Sequence, residues 1–423
     1  MAHFDMVVIG SGPAGQRGAI QAAKLGRRVL LVERAERIGG VSTHTGTIPS
    51  KTLREAILYL TGHQQRGIYG PDYCLKSDVT IADLRERLAV TIAHEVAVML
   101  DQLTRNGVTI VHGTAGFVDP QRIAVRATDG SCVEYTADRF LIATGTRPFR
   151  PRAVPFDDDC IVDSDGLLRI ERLPRRIIIV GAGVIGLEHA TMCRVLDMEV
   201  AVVHERAQIL EFADREVIEE FVRYLRNSGI DLRLGSKVTA VRRTERGVEL
   251  TLDDGGRLGS DMLLYTGGRQ GCVEELALEN AGLSADPRGR LKVNAHFQTA
   301  VPHIYAAGDV IGFPSLATVA FEQGRAAACH ACGGPAFSNS PNFPYGIYTV
   351  PKISMIGRTE QELTGQGVAH VAGRARLRET ARGQIMGLQR GLLKLLFARD
   401  DRRLLGAHIL GEGATELVHT GQA

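Results

Sequence analysis

The sequence predicts an α/β chain with parallel sheets, and two observations predict it. An apolar run, Met6 to Ile9, ends in Gly10-Ser11-Gly12-Pro13-Ala14-Gly15 and continues into small residues around Ala19, Ala22 and Ala23. The same grammar recurs where Ile177 to Val180 lead into Gly181-Ala182-Gly183-Val184-Ile185-Gly186. One such glycine turn arises readily by chance, but two, each with its strand and helix, do not. The 423 residues leave room for two to four domains at about 100–200 residues each.

Each glycine turn has a mechanical reading. The first glycine allows the tight bend, the second lets the backbone approach a pyrophosphate, and the third lets the helix pack on the strand. The helix N-terminus then faces the phosphates. These are the marks of a Rossmann-like dinucleotide-binding unit. In the first unit a second strand, Val29 to Val32, ends at Glu33, close to the offset at which such a unit places its ribose-binding carboxylate. In the second unit Val200 to Val203 end at His204-Glu205.

The segments between and after these units follow in order. Leu84, Leu88, Ile92, Val96, Met99 and Leu103 recur at helical spacing and predict one amphipathic helix packed on the core. Ile110-Val111, Ile123 to Val125 and Phe140 to Ile142 read as strands, with Asp129-Gly130 as a hairpin turn. Breaks from Arg150 to Pro155 and from Gly333 to Pro344 read as linkers.

Composition excludes several classes. Hydrophobic residues are 44% and charged residues 23%, the usage of folded domains rather than of long disorder. Lys plus Arg is 50 against 48 for Asp plus Glu, without a like-charged block, so no nucleic-acid partner is expected. No apolar run reaches the length of a bilayer span and no basic leader precedes Met6, which predicts no membrane partner and a cytoplasmic location. Seven scattered cysteines, an odd number, suit reduced thiols. Cys329-His330-Ala331-Cys332 is a lone CxxC without a second cluster, so it reads as helix-end residues, and no metal is expected.

Further motifs carry a resemblance. They are Gly39-Gly40-Val41-Ser42-Thr43-His44-Thr45-Gly46-Thr47-Ile48-Pro49-Ser50-Lys51, Ala143-Thr144-Gly145-Thr146-Arg147-Pro148, Gly267-Gly268-Arg269, and Ile304-Tyr305-Ala306-Ala307-Gly308-Asp309-Val310. With the two glycine turns, they make the chain resemble the flavoprotein disulfide reductases, a pyridine nucleotide-disulfide oxidoreductase family, and within it the soluble pyridine nucleotide transhydrogenases. The resemblance runs from about residue 4 to the last residue and implies two Rossmann-like domains, for FAD and for NAD(P), plus an α+β dimerisation domain. The expected division is 1–150 for FAD, 151–270 for NAD(P), 271–335 as a return to the FAD domain, and 336–423 for dimerisation. FAD is then held by Gly10, Gly12, Gly15, Glu33, Thr144, Gly145 and Asp309, with Glu33 on the adenosine ribose and Asp309 on the ribityl chain. The nicotinamide nucleotide is held by Gly181, Gly183, Gly186, His204, Glu205, Arg206, Gly268 and Arg269.

In the disulfide reductases a redox-active cysteine pair occupies the positions of Ser42 and Thr47. Hydroxyls cannot accept electrons, so thiol-disulfide exchange has no route here. Hydride that arrives from one nicotinamide can leave to another nicotinamide, to oxygen, or to an acceptor such as a quinone. The resemblance favours the first route: NADPH and NAD exchange hydride through the flavin by a ping-pong mechanism, with NAD and NADP as substrates. An NAD(P)H oxidase or diaphorase, or a non-catalytic truncated chain, are the alternatives. Lys51 reads as a cation near the flavin that stabilises developing negative charge, and the resemblance implies that it pairs with Glu188; both are the expected catalytic residues. At His204 an NAD-specific unit has a carboxylate that repels a 2′-phosphate. Neutral histidine with Arg206 beside it removes that repulsion, while Glu205 still suits NAD.

From Tyr345-Gly346-Ile347-Tyr348-Thr349-Val350-Pro351 onward the sequence looks like the start of the dimerisation domain. Leu392 to Phe397 and Gly406 to Leu410 are expected as two of its strands. The family domain runs about fifty residues further, so this one is expected to be C-terminally truncated, with a homodimer or higher oligomer formed where the domain is complete. Lys352 stands where relatives usually carry glutamate.

Overall fold

The computed structural model describes residues 1–335 and 342–423. The chain divides into two compact units. The first comprises Met1–Ser50, Leu88–Phe149 and the stretch beginning at Arg269; the second comprises Lys51–Arg87, Arg150–Gly268 and the C-terminal stretch ending at Ala423. Of the linker expected from Gly333 to Pro344, residues 336–341 lie outside the described residues.

In the first unit a parallel sheet runs Thr109–His112, Val29–Glu33, Ala2–Ile9, Cys132–Ile142, with Ile304–Ala306 beyond it. All five residues of Val29–Glu33 are buried, as expected of a strand covered on both faces. The start of Cys132–Ile142 also pairs antiparallel with Arg122–Arg126, which continues to Thr114–Asp119. Asp129-Gly130 lies in the turn between Arg126 and Cys132, with Gly130 at φ +85°. The helix Pro13–Lys24 follows the first strand and opens with proline, whose missing N–H costs a first turn nothing. It packs on the helix Ala317–Cys332, where a Cβ at Gly324 would lie 2.0 Å from Ala14 O. The expected amphipathic helix forms as Ile81–Arg105 and buries Leu84, Leu88, Met99 and Leu103.

The second unit repeats the pattern. Its five-stranded parallel sheet has the order Asp231–Leu234, Glu199–His204, Arg176–Val180, Met262–Tyr265, Ile161–Asp163. Val162, Ile177, Ile179, Leu187, Val200, Val202 and Leu264 join in one core beneath the helix Val184–Val195. The C-terminal part is an antiparallel sheet of Tyr345–Ile347, Ile353–Gly357, Leu404–Leu410, Leu392–Ala398 and His370–Arg376. Both strands expected there form, and the helix Ala414–Gln422 turns Ala414 and Val418 onto the sheet. The chain therefore carries two Rossmann-like α/β folds and a C-terminal α+β domain.

A buried charge cluster ties this last domain to the helix Arg215–Asn227. Asp214 caps that helix by accepting from the N–H groups of Glu216 and Val217. It also accepts from the buried Lys394 Nζ at 2.8 Å, which reaches Glu216 at 3.0 Å and Glu360 at 2.6 Å as well. A buried ammonium survives only with such partners.

Candidate functional site

The two glycine turns are built alike. Gly10 sits at φ +102° and Gly181 at φ +108°, conformations that side chains avoid. A Cβ on Gly15 would lie 1.8 Å from Gly10 O, and one on Gly186 2.0 Å from Gly181 O, so helix and strand meet backbone to backbone. At Gly12 and Gly183, by contrast, a Cβ would meet nothing within 4 Å. Both residues cap their helices without a side-chain hydrogen bond, which leaves the first-turn N–H groups without a side-chain cap, beside open space. That is the donor set and the room that a pyrophosphate needs.

At the end of the neighbouring strand the first unit places Glu33, buried. One carboxylate oxygen accepts from Ser11 N–H at 2.9 Å and from the Ser11 hydroxyl at 2.5 Å; the other accepts from Ala35 N–H at 2.9 Å. The Ser11 hydroxyl in turn accepts from Gly39 N–H at 2.8 Å. Elsewhere in this unit Gly145 turns at φ +66° beside Thr144, whose buried hydroxyl has no partner among the described residues. Arg269 donates to the Thr146 hydroxyl and to its carbonyl, both at 2.8 Å, and that hydroxyl donates to Asp309 at 3.3 Å. Burial pushes the Asp309 carboxyl up, with Arg269 and Thr146 pulling it partly back. Arg269 thus stands on the Asp309 side of the chain, in the first unit. The orphan Thr144 hydroxyl, the open space at Gly12 and this carboxylate fit a dinucleotide with a polyhydroxyl chain.

The second unit places His204 where the first has Glu33. Its Nδ1 accepts from Ala182 N–H at 3.4 Å, so the proton of the neutral ring is on Nε2. Burial, and the neighbouring Arg206, push its pKa down and keep the ring neutral at pH 7. Glu205 and Arg206 are exposed, with Arg206 3.5 Å from Glu211. Gly268 ends the segment Arg150–Gly268 of this unit at φ +111°.

Also in the second unit, Lys51 Nζ lies 2.9 Å and 2.8 Å from the two carboxylate oxygens of Glu188. Lys51 comes from the helix Thr47–Leu60 and Glu188 from the helix Val184–Val195. Lys352 pairs with Glu416 at 3.0 Å. Sequence reasoning assigned no role to Ser11, Thr146 or Tyr348. All three sit inside quoted motifs, and position within those motifs was the one signal available.

The cysteines are seven free thiols. Burial pushes Cys329 and Cys332 up, away from the reactive thiolate. Among the described residues no group of three or more His, Cys, Asp or Glu side chains could hold a metal, and no helix is long and apolar enough to cross a membrane.

Comparison with known proteins agrees with this geometry. Residues 4–324 match the model of the pyridine nucleotide-disulphide oxidoreductases, and residues 343–423 match their dimerisation domain. The chain belongs to this family. Among family members, soluble pyridine nucleotide transhydrogenases of Mycobacterium bovis and Mycobacterium tuberculosis are 49% identical, covering 100% of this chain and 91% of theirs. That of Enterobacter sp. is 41% identical at the same coverage. In three dimensions the chain is similar to crystalline LpdA of Mycobacterium tuberculosis, with TM-score 0.90 and 26% identity over 99% of this chain and 92% of that one. The HOCl-induced flavoprotein disulfide reductase RclA of Escherichia coli matches with TM-score 0.86 and 25% identity over 99% and 92%.

Proposed function

We propose that the chain is an FAD-dependent NAD(P) transhydrogenase, moving hydride from NADPH to NAD. The observation that carries the reading is the duplicated cradle combined with hydroxyls at Ser42 and Thr47: two nucleotides have places, and no thiol pair stands at the family's disulfide positions. Its transhydrogenase relatives, 41–49% identical, support the same reading.

The roles fall to the chain's own groups. The N–H groups at the start of Pro13–Lys24 hold a pyrophosphate, Glu33 accepts from ribose hydroxyls, and Asp309, steadied by Thr146 and Arg269, accepts from the ribityl chain. Gly145 keeps the backbone low beside Thr144, whose hydroxyl gains a partner when FAD binds. Bound FAD supplies a two-electron carrier that serves both nicotinamides in turn. The start of Val184–Val195, with Gly181, Gly183 and Gly186, takes the second pyrophosphate. His204 offers an Nε2–H to a ribose hydroxyl, Arg206 a cation to a 2′-phosphate and Glu205 an acceptor to NAD, so that both nucleotides are admitted. Lys51 and Glu188 form a charge pair that serves the hydride step, and Gly268 gives the chain its turn into Arg269.

The assigned domains are 1–150 with 271–335 for FAD, 151–270 for NAD(P) and 336–423 for contact with a second copy. None of these assigned residues lies beyond Asp309. A cytoplasmic location belongs to the same proposal, supported by the free thiols. Anaerobic stopped-flow absorbance tests it: NADPH should bleach the flavin band and excess NAD should restore it. Recovery in air but not with NAD would replace the reading by an NAD(P)H oxidase. A colourless protein would remove it.

A further inference from the structure

Tyr348 stands at the centre of the Lys51–Glu188 arrangement, and the hydride reading leaves it unused. Its main-chain N–H donates to Glu188 Oε1 at 2.8 Å, the oxygen that also accepts from Lys51 at 2.9 Å. Its ring lies under the same ammonium, with Lys51 Nζ 4.6 Å from the ring centroid. One residue therefore fixes the acceptor through its backbone and the donor through its ring face.

The backbone that carries this ring is itself pinned. Thr349 O accepts from Arg54 Nε at 3.2 Å, and Val350 N–H donates to the Thr191 hydroxyl at 3.1 Å. Lys51 and Arg54 are three apart on one helix; Glu188 and Thr191 are three apart on another. Such spacing places each pair on one helix face, so the strap 348–350 is stitched to both helices at once. Lys352 adds a second cation 5.6 Å from the Tyr348 centroid and is anchored by Glu416.

The physical need is plain. A lysine ammonium is a point charge on a flexible four-carbon stem, and a carboxylate partner sets its distance more firmly than its direction. An aromatic face attracts the cation and closes one sector of its motion. We propose that Tyr348 is a positioning residue for hydride transfer, holding the Lys51 ammonium against Glu188 in one orientation. The inference rests on the reading that this pair serves the hydride step.

Two readouts on purified holoenzyme test it. Reductive methylation of Lys51, followed by peptide mass spectrometry, reports how tightly the ammonium is held without any turnover; the side chain is 26% exposed, so reagent reaches it. Tyr348→Leu should raise the labelling rate of Lys51 by about threefold relative to the exposed Lys24, and Tyr348→Phe should not. In stopped flow, Tyr348→Leu should slow flavin reduction by NADPH about tenfold with little change in KM, and Tyr348→Phe should restore it. In the Lys51→Met/Glu188→Gln background, which removes both charges together, the further effect of Tyr348→Leu should vanish. Should Tyr348→Leu fail to accumulate, Tyr348→Met takes its place. Unchanged labelling and rate in the ring-less variant overturn the inference, as does a loss that persists without the charge pair. A normal rate in Lys51→Met/Glu188→Gln alone overturns the underlying reading of the pair, and the inference with it.

Discussion

The two nucleotide cradles agree in their glycines and part at the strand end. Their first glycines differ by a few degrees in φ, and their third glycines approach the first carbonyl within 1.8 Å and 2.0 Å of where a Cβ would stand. Glu33, however, is buried with three donors on its carboxylate, whereas His204 is half-buried with one long bond to Ala182 N–H. The lesson is a division of labour within one motif. On the proposed function, glycine geometry makes a place for a pyrophosphate, and the residue at the strand end sets whether the nucleotide is kept or exchanged. A rigid, fully bonded carboxylate suits a resident cofactor; a neutral, loosely held ring suits a substrate that leaves.

The glycines offer the strongest break in this comparison. Gly15→Ala should cut flavin content of the purified protein at least about tenfold, because the methyl group collides with backbone that cannot yield. Gly186→Ala should keep the yellow colour and slow flavin reduction by NADPH about a hundredfold. Equal flavin loss in both variants, measured by the ratio of flavin to protein absorbance, would mean that the cradles are not separable. Next in size is Glu33→Ala, which strands the N–H groups of Ser11 and Ala35. At about 1–3 kcal/mol for such orphaned groups, the dissociation constant of FAD measured by fluorescence should rise about tenfold or more, and an unchanged constant would remove Glu33 from FAD binding.

How much of this was legible beforehand follows from the range of each interaction. The glycine turns, the strands that flank them and the helix Ile81–Arg105 are local patterns, and each formed where the sequence placed it. Glu33 and His204 stand at the strand ends where a fixed offset from the glycines placed them. Thr146 and Tyr348 escaped because their roles are made by partners far along the chain, Arg269 and Asp309 for one, Glu188 for the other. Lys352 looked like an unexplained departure for the same reason, since its partner Glu416 belongs to the terminal helix. Arg269 stood in a turn beside the nicotinamide unit, and only tertiary contacts place it on Thr146.

A smaller effect sharpens the contrast at the strand ends. His204→Glu restores a carboxylate that repels a 2′-phosphate, so kcat/KM for NADPH should fall about tenfold while that for NADH changes little. The wild type should also show a pH signature. Burial and Arg206 favour the neutral ring, so the preference for NADPH over NADH should stay flat from neutral to alkaline pH. It should rise only on the acid side of an ordinary imidazole's range, where protonation gives an imidazolium for the phosphate but breaks the bond from Ala182 N–H. A preference that never rises as pH falls through the acid range in which the protein stays folded would remove His204 from cofactor choice.

Smaller still is the acid sensitivity of the second unit, which carries the buried Lys394 cluster. Hydrogen bonds from Arg374 first, and from Lys394, draw the Glu216 carboxyl down from its usual 4.5 to about 2, against the opposing effect of burial. A depressed carboxylate contributes stability that is present above its unfolded pKa and is lost as pH falls through the folded value. Glu216→Gln should therefore lower Tm by a few degrees at pH 7, about what a partly exposed pair contributes, and the difference from wild type should shrink between pH 4.5 and 2. A constant difference across that window would show that the charge is not what Glu216 supplies.

The weakest expected effect bears on what the family name implies. Thiol exchange requires a thiolate, and burial moves both Cys329 and Cys332 in the opposite direction. Cys332 ends the helix Ala317–Cys332, and its carbonyl, not its sulfur, accepts from Arg27 at 3.0 Å. Serine there keeps that carbonyl and removes the sulfur, and with it any Cys329–Cys332 dithiol, so Cys332→Ser should leave transhydrogenation within about twofold of wild type. A tenfold loss would put a thiol in the electron path, and the hydroxyls at Ser42 and Thr47 would then have a substitute rather than being the reason that electrons pass between nicotinamides alone.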